Sequence, residues 1–112
     1  MVIAERLGAW VADLSLDRVP DEALHIARRC VVDTVGVAVA GSRTPVARRV
    51  REHVSAQFGS GACTLMGTSL SASATGAALA NGVAAHALDF DDNSYAGMSH
   101  GSAVVLPAVL AV

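Results

Sequence analysis

Apolar positions recur at helical spacing through most of this chain. Leu7, Trp10, Val11 and Leu14 fall at i, i+3, i+4 and i+7, which predicts an amphipathic helix over residues 3–16. Leu16-Asp17-Arg18-Val19 reads as a short link. Pro20 then stands where a helix takes its first-turn proline, and Asp21 and Glu22 suit the positive end of a helix dipole. This second helix runs to about Ala40, with Gly41 as its C-terminal cap. Its face of Leu24, Ala27, Val31, Val35 and Val39 is continuous, and Cys30 borders it. The valines suit a strand as well, but length and periodic charges favour helix.

Ser42-Arg43-Thr44 is a loop, and Pro45 opens a third helix to about Phe58. Arg48, Arg49 and Arg51 form its basic edge, either a solvated face or a strip that attracts anions or another subunit. Gly59-Ser60-Gly61 ends it, and residues 62–66 read as a short extended piece closed by Gly67. Thr64 occupies the third glycine position of a G-x-G-x-x-G, so there is no dinucleotide fingerprint. Ser71 or Ser73 caps a fourth helix from about Ala74 to Phe90. Its many alanines and glycines suit a central helix hemmed in on several sides. Residues 91–99 form a loop, and Gly101-Ser102 starts a last helix with Pro107 in its second turn. The expected fold is all-α, a single domain of packed antiparallel helices over residues 1–112.

Composition narrows the function classes. Of the 112 residues, 53% are hydrophobic and 16% charged, which excludes disorder. Only 4% are aromatic, so Ala, Val and Leu must build the core. A net charge of −2 argues against nucleic acid as a partner. All the basic residues are Arg, and there is no Lys. Cys30 and Cys63 stand alone, which makes neither a disulfide framework nor a zinc site, and Cys30 reads as a small core residue. There is no signal-peptide pattern, and no run reaches the roughly 18 apolar residues of a membrane span. A cytoplasmic, reducing compartment is expected.

Against this apolar background one stretch concentrates charge: His86, then Leu88-Asp89-Phe90-Asp91-Asp92, then His100-Gly101-Ser102. On a helix continuing to Phe90, His86 and Asp89 share a face, Asp92 lies at its fraying end, and Asp91 points elsewhere. His100 precedes a helix start, where free N–H groups favour anions. Two helix ends meeting there would suit general acid–base work on an anionic substrate. In the plainer alternative, His86 and Asp89 are a structural pair, and Asp91-Asp92 simply end a helix. A divalent ion is not expected, because no H-E-x-x-H or EF-hand loop is present.

These residues resemble the MmgE/PrpD family, which includes 2-methylcitrate dehydratase and cis-aconitate decarboxylase. Asp33 to Gly41 is similar to the family's "D-x-x-G-x-x-x-A-G" helix end. Met66-Gly67 is similar to the short extended stretch before its serine-rich cap. Ala77 to Gly82, His86 to Asp92 and His100 to Ala108 are similar to its signature, so the resemblance covers nearly the whole chain in order.

The resemblance implies the start of a large helical domain, followed in the family by a smaller α/β lid domain, with the active site in the cleft between them. It implies a lyase or isomerase of small di- or tricarboxylic acids that needs no metal or organic cofactor and forms homodimers. By position, Asp89 and His100 match the catalytic aspartate and histidine. Asn93 falls where many members have a substrate-contacting threonine, and His86 and Asp92 are supporting substrate-binding candidates. The family's catalytic lysines and second histidine lie beyond Val112, and the loop before His100 is about a residue longer than in some members. The chain is therefore expected to be inactive alone, as a fragment or one half of a split enzyme. It would be completed by a C-terminal chain or a homo-oligomer. The alternative is a non-catalytic helical module for assembly or regulation.

Overall fold

The computed structural model describes residues 2–112. Among them are five α-helices and one small sheet: α1 (Ile3–Asp13), α2 (Asp21–Gly41), α3 (Pro45–Gln57), β1 (Cys63–Thr64), β2 (Ser71–Ala72), α4 (Ala74–His86) and α5 (Gly101–Leu110). A 3₁₀ turn, Leu16–Arg18, links α1 to α2. β1 and β2 pair antiparallel, with Cys63 opposite Ala72.

Local chemistry sets most helix starts. Thr44 caps α3 by accepting from the Ala47 amide at 3.3 Å, with Pro45 in the first turn. Ser73 does the same for α4 through the Gly76 amide at 3.3 Å, so Ser73 is the cap and Ser71 lies in β2. The first helix is shorter than its apolar spacing predicts, because the chain is already extended at Leu14. Arg18 turns back there, 3.1 Å from the Asp13 carboxylate and 3.2 Å from Ser15 Oγ.

Helix α4 is the hub and packs against α2, α3 and α5. Its small residues make this possible. One apolar cluster joins Val54, Leu65, Ala72, Ala77, Ala80 and Ala111, and another joins Ala38, Ala47, Ala84, Ala85 and Ala103. The buried Asn81 ties α4 to the segment after β1, donating to the Thr64 carbonyl at 3.0 Å and accepting from the Met66 amide at 2.8 Å.

The buried stripe of α2 differs from the expected Leu24-to-Val39 face. Thr34, Ala38 and Gly41 are buried, while Ala27 and Val39 are exposed. Close approach to α4 decides this. Gly41 does not cap α2 in a left-handed conformation: it is the last helical residue, and a Cβ there would collide with the Ala84 carbonyl oxygen. Cys30 is half-buried rather than a core residue.

Helix α4 also ends four residues earlier than the apolar pattern suggests, at His86 instead of Phe90. Asp89 adopts φ 54°, in the left-handed region, and its amide donates back to the His86 carbonyl at 3.0 Å. This turn reverses the chain and sends Asp91 underneath the helix end.

Candidate functional site

Helix α4 delivers His86 in its last turn, and His100 sits at the N-cap position of α5. Because α4 and α5 pack together, the two imidazoles meet, with ring centroids 4.6 Å apart at 60°. The turn at Asp89 then places the Asp91 carboxylate between them. Its side chain is 1% exposed. His86 Nδ1 lies 3.0 Å from Asp91 Oδ1 and 3.1 Å from Oδ2. His100 Nδ1 lies 3.3 Å from Asp91 Oδ2, but its angles do not make a hydrogen bond, so this buried nitrogen is without a bonded partner. His100 Nε2 faces the exposed Asp89, 3.8 Å from Oδ1.

The placement of each candidate follows. His86, Asp89 and His100 come together, though Asp89 does so from a left-handed turn and not from a helical face shared with His86. Asp92 is engaged at the start of α5. Its Oδ1 accepts from the Ser102 amide at 3.0 Å and its Oδ2 from the Ser102 hydroxyl at 2.8 Å, covering one of the amides that a helix start leaves free. Asn93 is exposed on the loop that follows, outside the imidazole pair. Asp91, expected to point elsewhere, is the centre of the arrangement. Its signal was its place two residues beyond a residue type that tolerates a left-handed turn.

Two clefts adjoin the cluster. One, about 830 Å³, runs between α4 and α5, with His86 and His100 on its wall and Leu79, Val83, Met98 and Val104 as its apolar lining. The other, about 770 Å³, follows α2 and is lined by His25, Arg28, Arg29, Cys30 and Asp92. The first cleft thus offers a small substrate an apolar wall and two imidazoles, and the second, separate from it, offers guanidinium groups. Ligand atoms of His86, Asp89, Asp91 and His100 also lie within 4.8 Å of one another, so among the described residues these four could gather a cation. Among the described residues no helix is long and apolar enough to cross a membrane.

Comparison with known proteins shows what the chain is similar to. The family model described as the MmgE/PrpD N-terminal domain matches residues 5–112. The chain is similar to cis-aconitate decarboxylase of Aspergillus terreus, 28% identical over 109 residues, covering 97% of this chain and 22% of that protein. It is equally similar to cis-aconitate decarboxylase of Mus musculus, 28% identical over 111 residues, covering 98% of this chain and 22% of the relative. The human cis-aconitate decarboxylase is also 28% identical, with 98% and 23% covered. The chain therefore spans little more than a fifth of the length of these relatives. No solved structure matches it. With the family model aligned to nearly every residue, the chain belongs to the MmgE/PrpD family, in the part that forms its N-terminal domain.

Proposed function

We propose that the chain supplies one wall of a lyase or isomerase that acts on small di- or tricarboxylic acids, with no cofactor of its own. The observation that carries this reading is the pair of imidazoles beside an exposed carboxylate at the mouth of an apolar groove. His100 is the proton-transfer group: its Nε2 is turned toward Asp89, where a substrate carbon or hydroxyl can reach it. Asp89 hydrogen-bonds the substrate, Asn93 extends that contact, His86 supports His100, and Asp92 holds the helix start from which His100 projects. In a decarboxylation, the bond to one carboxyl carbon breaks, CO₂ leaves, and the electron pair left on carbon takes a proton from the imidazolium. In a dehydration, one imidazole takes a proton from carbon while the C–O bond breaks and the hydroxyl, protonated by the other imidazole in its imidazolium form, leaves as water.

Charge says what is missing. A substrate carboxylate about 4 Å from a carboxylate side chain meets about 4 kcal/mol of repulsion at the effective dielectric near a protein surface. Cations must offset that, and this chain offers arginines and no lysine. The family's remaining length is the natural source of the others.

Turnover tests the reading. The chain alone should not convert cis-aconitate or 2-methylcitrate. Together with the remainder of a family enzyme it should convert one of them, and Asp89→Asn should abolish that conversion. If the complemented protein neither binds nor converts a carboxylic acid, the chain is the non-catalytic helical module instead.

A further inference from the structure

A carboxylate as buried as Asp91 is costly unless its charge is met. Among the described residues, the groups within 4 Å of it that could carry a positive charge are two imidazoles and no arginine. A carboxylate that served only to hold its loop would bond backbone amides, as the neighbouring Asp92 does with Ser102. Asp91 bonds none among the described residues; both of its oxygens face imidazole nitrogens.

We infer that Asp91 is a positioning residue: one buried carboxylate that fixes the tautomer and orientation of both His86 and His100. This rests on the carboxylic-acid lyase reading only for its catalytic consequence. An ionised carboxylate has acceptors and no donor, so each facing Nδ1 must carry the hydrogen. The Nε2 of His86 is then left without a hydrogen and free to accept one; at His100 the buried Asp91 beside Nδ1 competes with the exposed Asp89, 3.8 Å from Nε2, and burial favours Asp91. His86 is already held at 3.0 Å. His100, with Nδ1 buried 3.3 Å from Oδ2 and misaligned, lies within reach of the same bond without making it here. Such bonds tighten when a substrate closes the site. Because one anion serves two rings, its charge stabilises whichever imidazole becomes protonated, and a proton gained at His100 is balanced beneath it.

The test reads the tautomers directly. In a long-range ¹H–¹⁵N correlation spectrum of the ¹⁵N-labelled full chain, taken where the imidazoles are neutral, both His86 and His100 should be in the Nδ1–H form. Asp91→Asn offers one acceptor and one donor in the same shape, so one ring should switch to the Nε2–H form. Asp89→Asn should leave both rings unchanged. Nε2–H rings in the unmodified chain, or unchanged rings in Asp91→Asn, would overturn the assignment. If Asp91→Asn does not fold, the unmodified chain's tautomers alone decide.

In the complemented enzyme, Asp91→Asn should lower kcat about 10²-fold, as loss of a partner that orients a working histidine does, with KM little changed. Tautomers as expected but no turnover of any carboxylic acid by the unmodified enzyme would remove the lyase reading and leave the positioning intact. Turnover with tautomers unmoved by Asp91→Asn would do the reverse.

Discussion

Asp89 shows how one residue can be set against stability. Its φ of 54° lies where a side chain costs roughly 1–2 kcal/mol and glycine costs nothing comparable. Its carboxylate is 80% exposed, so little packing offsets the strain. Asp89→Gly should therefore leave the chain as stable or up to about 1 kcal/mol more stable, since the added entropy of glycine in the unfolded chain cancels part of the relief. The same change should abolish turnover by the complemented enzyme. Urea unfolding beside a turnover assay checks both. A loss above about 1 kcal/mol would mean that the carboxylate holds the turn, and that its role is structural. The sequence named Asp89 as a candidate but hid this conformation. Ala87, Leu88 and Phe90 include neither Gly nor Pro to stop a helix, so the apolar pattern ran on past the true end. For the same reason the pattern puts Asp91 on the wrong side: an i, i+3 argument holds only while the helix does.

At the scale of elements, what could be read from the chain and what could not divide along a physical line. Helix starts follow from neighbouring residues, so Thr44-Pro45 and Ser73 were legible. The buried face of α2 was not, because it depends on how closely another helix approaches. Two glycines on that helix separate the effects. A Cβ at Gly36 meets nothing within 4 Å, whereas one at Gly41 meets the Ala84 backbone. Gly36→Ala should thus stabilise the chain by about 0.5–1 kcal/mol, the ordinary gain in helix propensity. Gly41→Ala should destabilise it by about 1–3 kcal/mol, the cost of overpacking a tight contact. It should also disturb the imidazole resonances, because α4 carries His86. Denaturant midpoints and one spectrum decide. Equal effects of the two substitutions would mean that the α2–α4 contact is looser than its geometry.

For the whole molecule, much apolar surface stays uncovered. Helix α1 buries no residue, and Leu7, Trp10 and Val11 on it stay exposed, as does Leu14 just after it. On α5, Val104, Val105 and Val109 are exposed too. With carboxylates at Asp89 and Asp91 and no lysine, the site wall cannot hold a polycarboxylate by charge. The arginines along α2 are exposed, where water weakens a single ion pair to at most about 1 kcal/mol. Affinity near −4 kcal/mol corresponds to about 1 mM, and one or two such pairs fall short of it. Titration of the chain alone with cis-aconitate should therefore give a Kd above about 1 mM, and the complemented protein should bind at least tenfold more tightly. The histidine resonances should move only in the complemented protein, because only there is the substrate carboxylate neutralised close enough to reach His100. Submillimolar binding by the chain alone would show that its own arginines suffice, and the opposite wall would then be needed for chemistry but not for recognition.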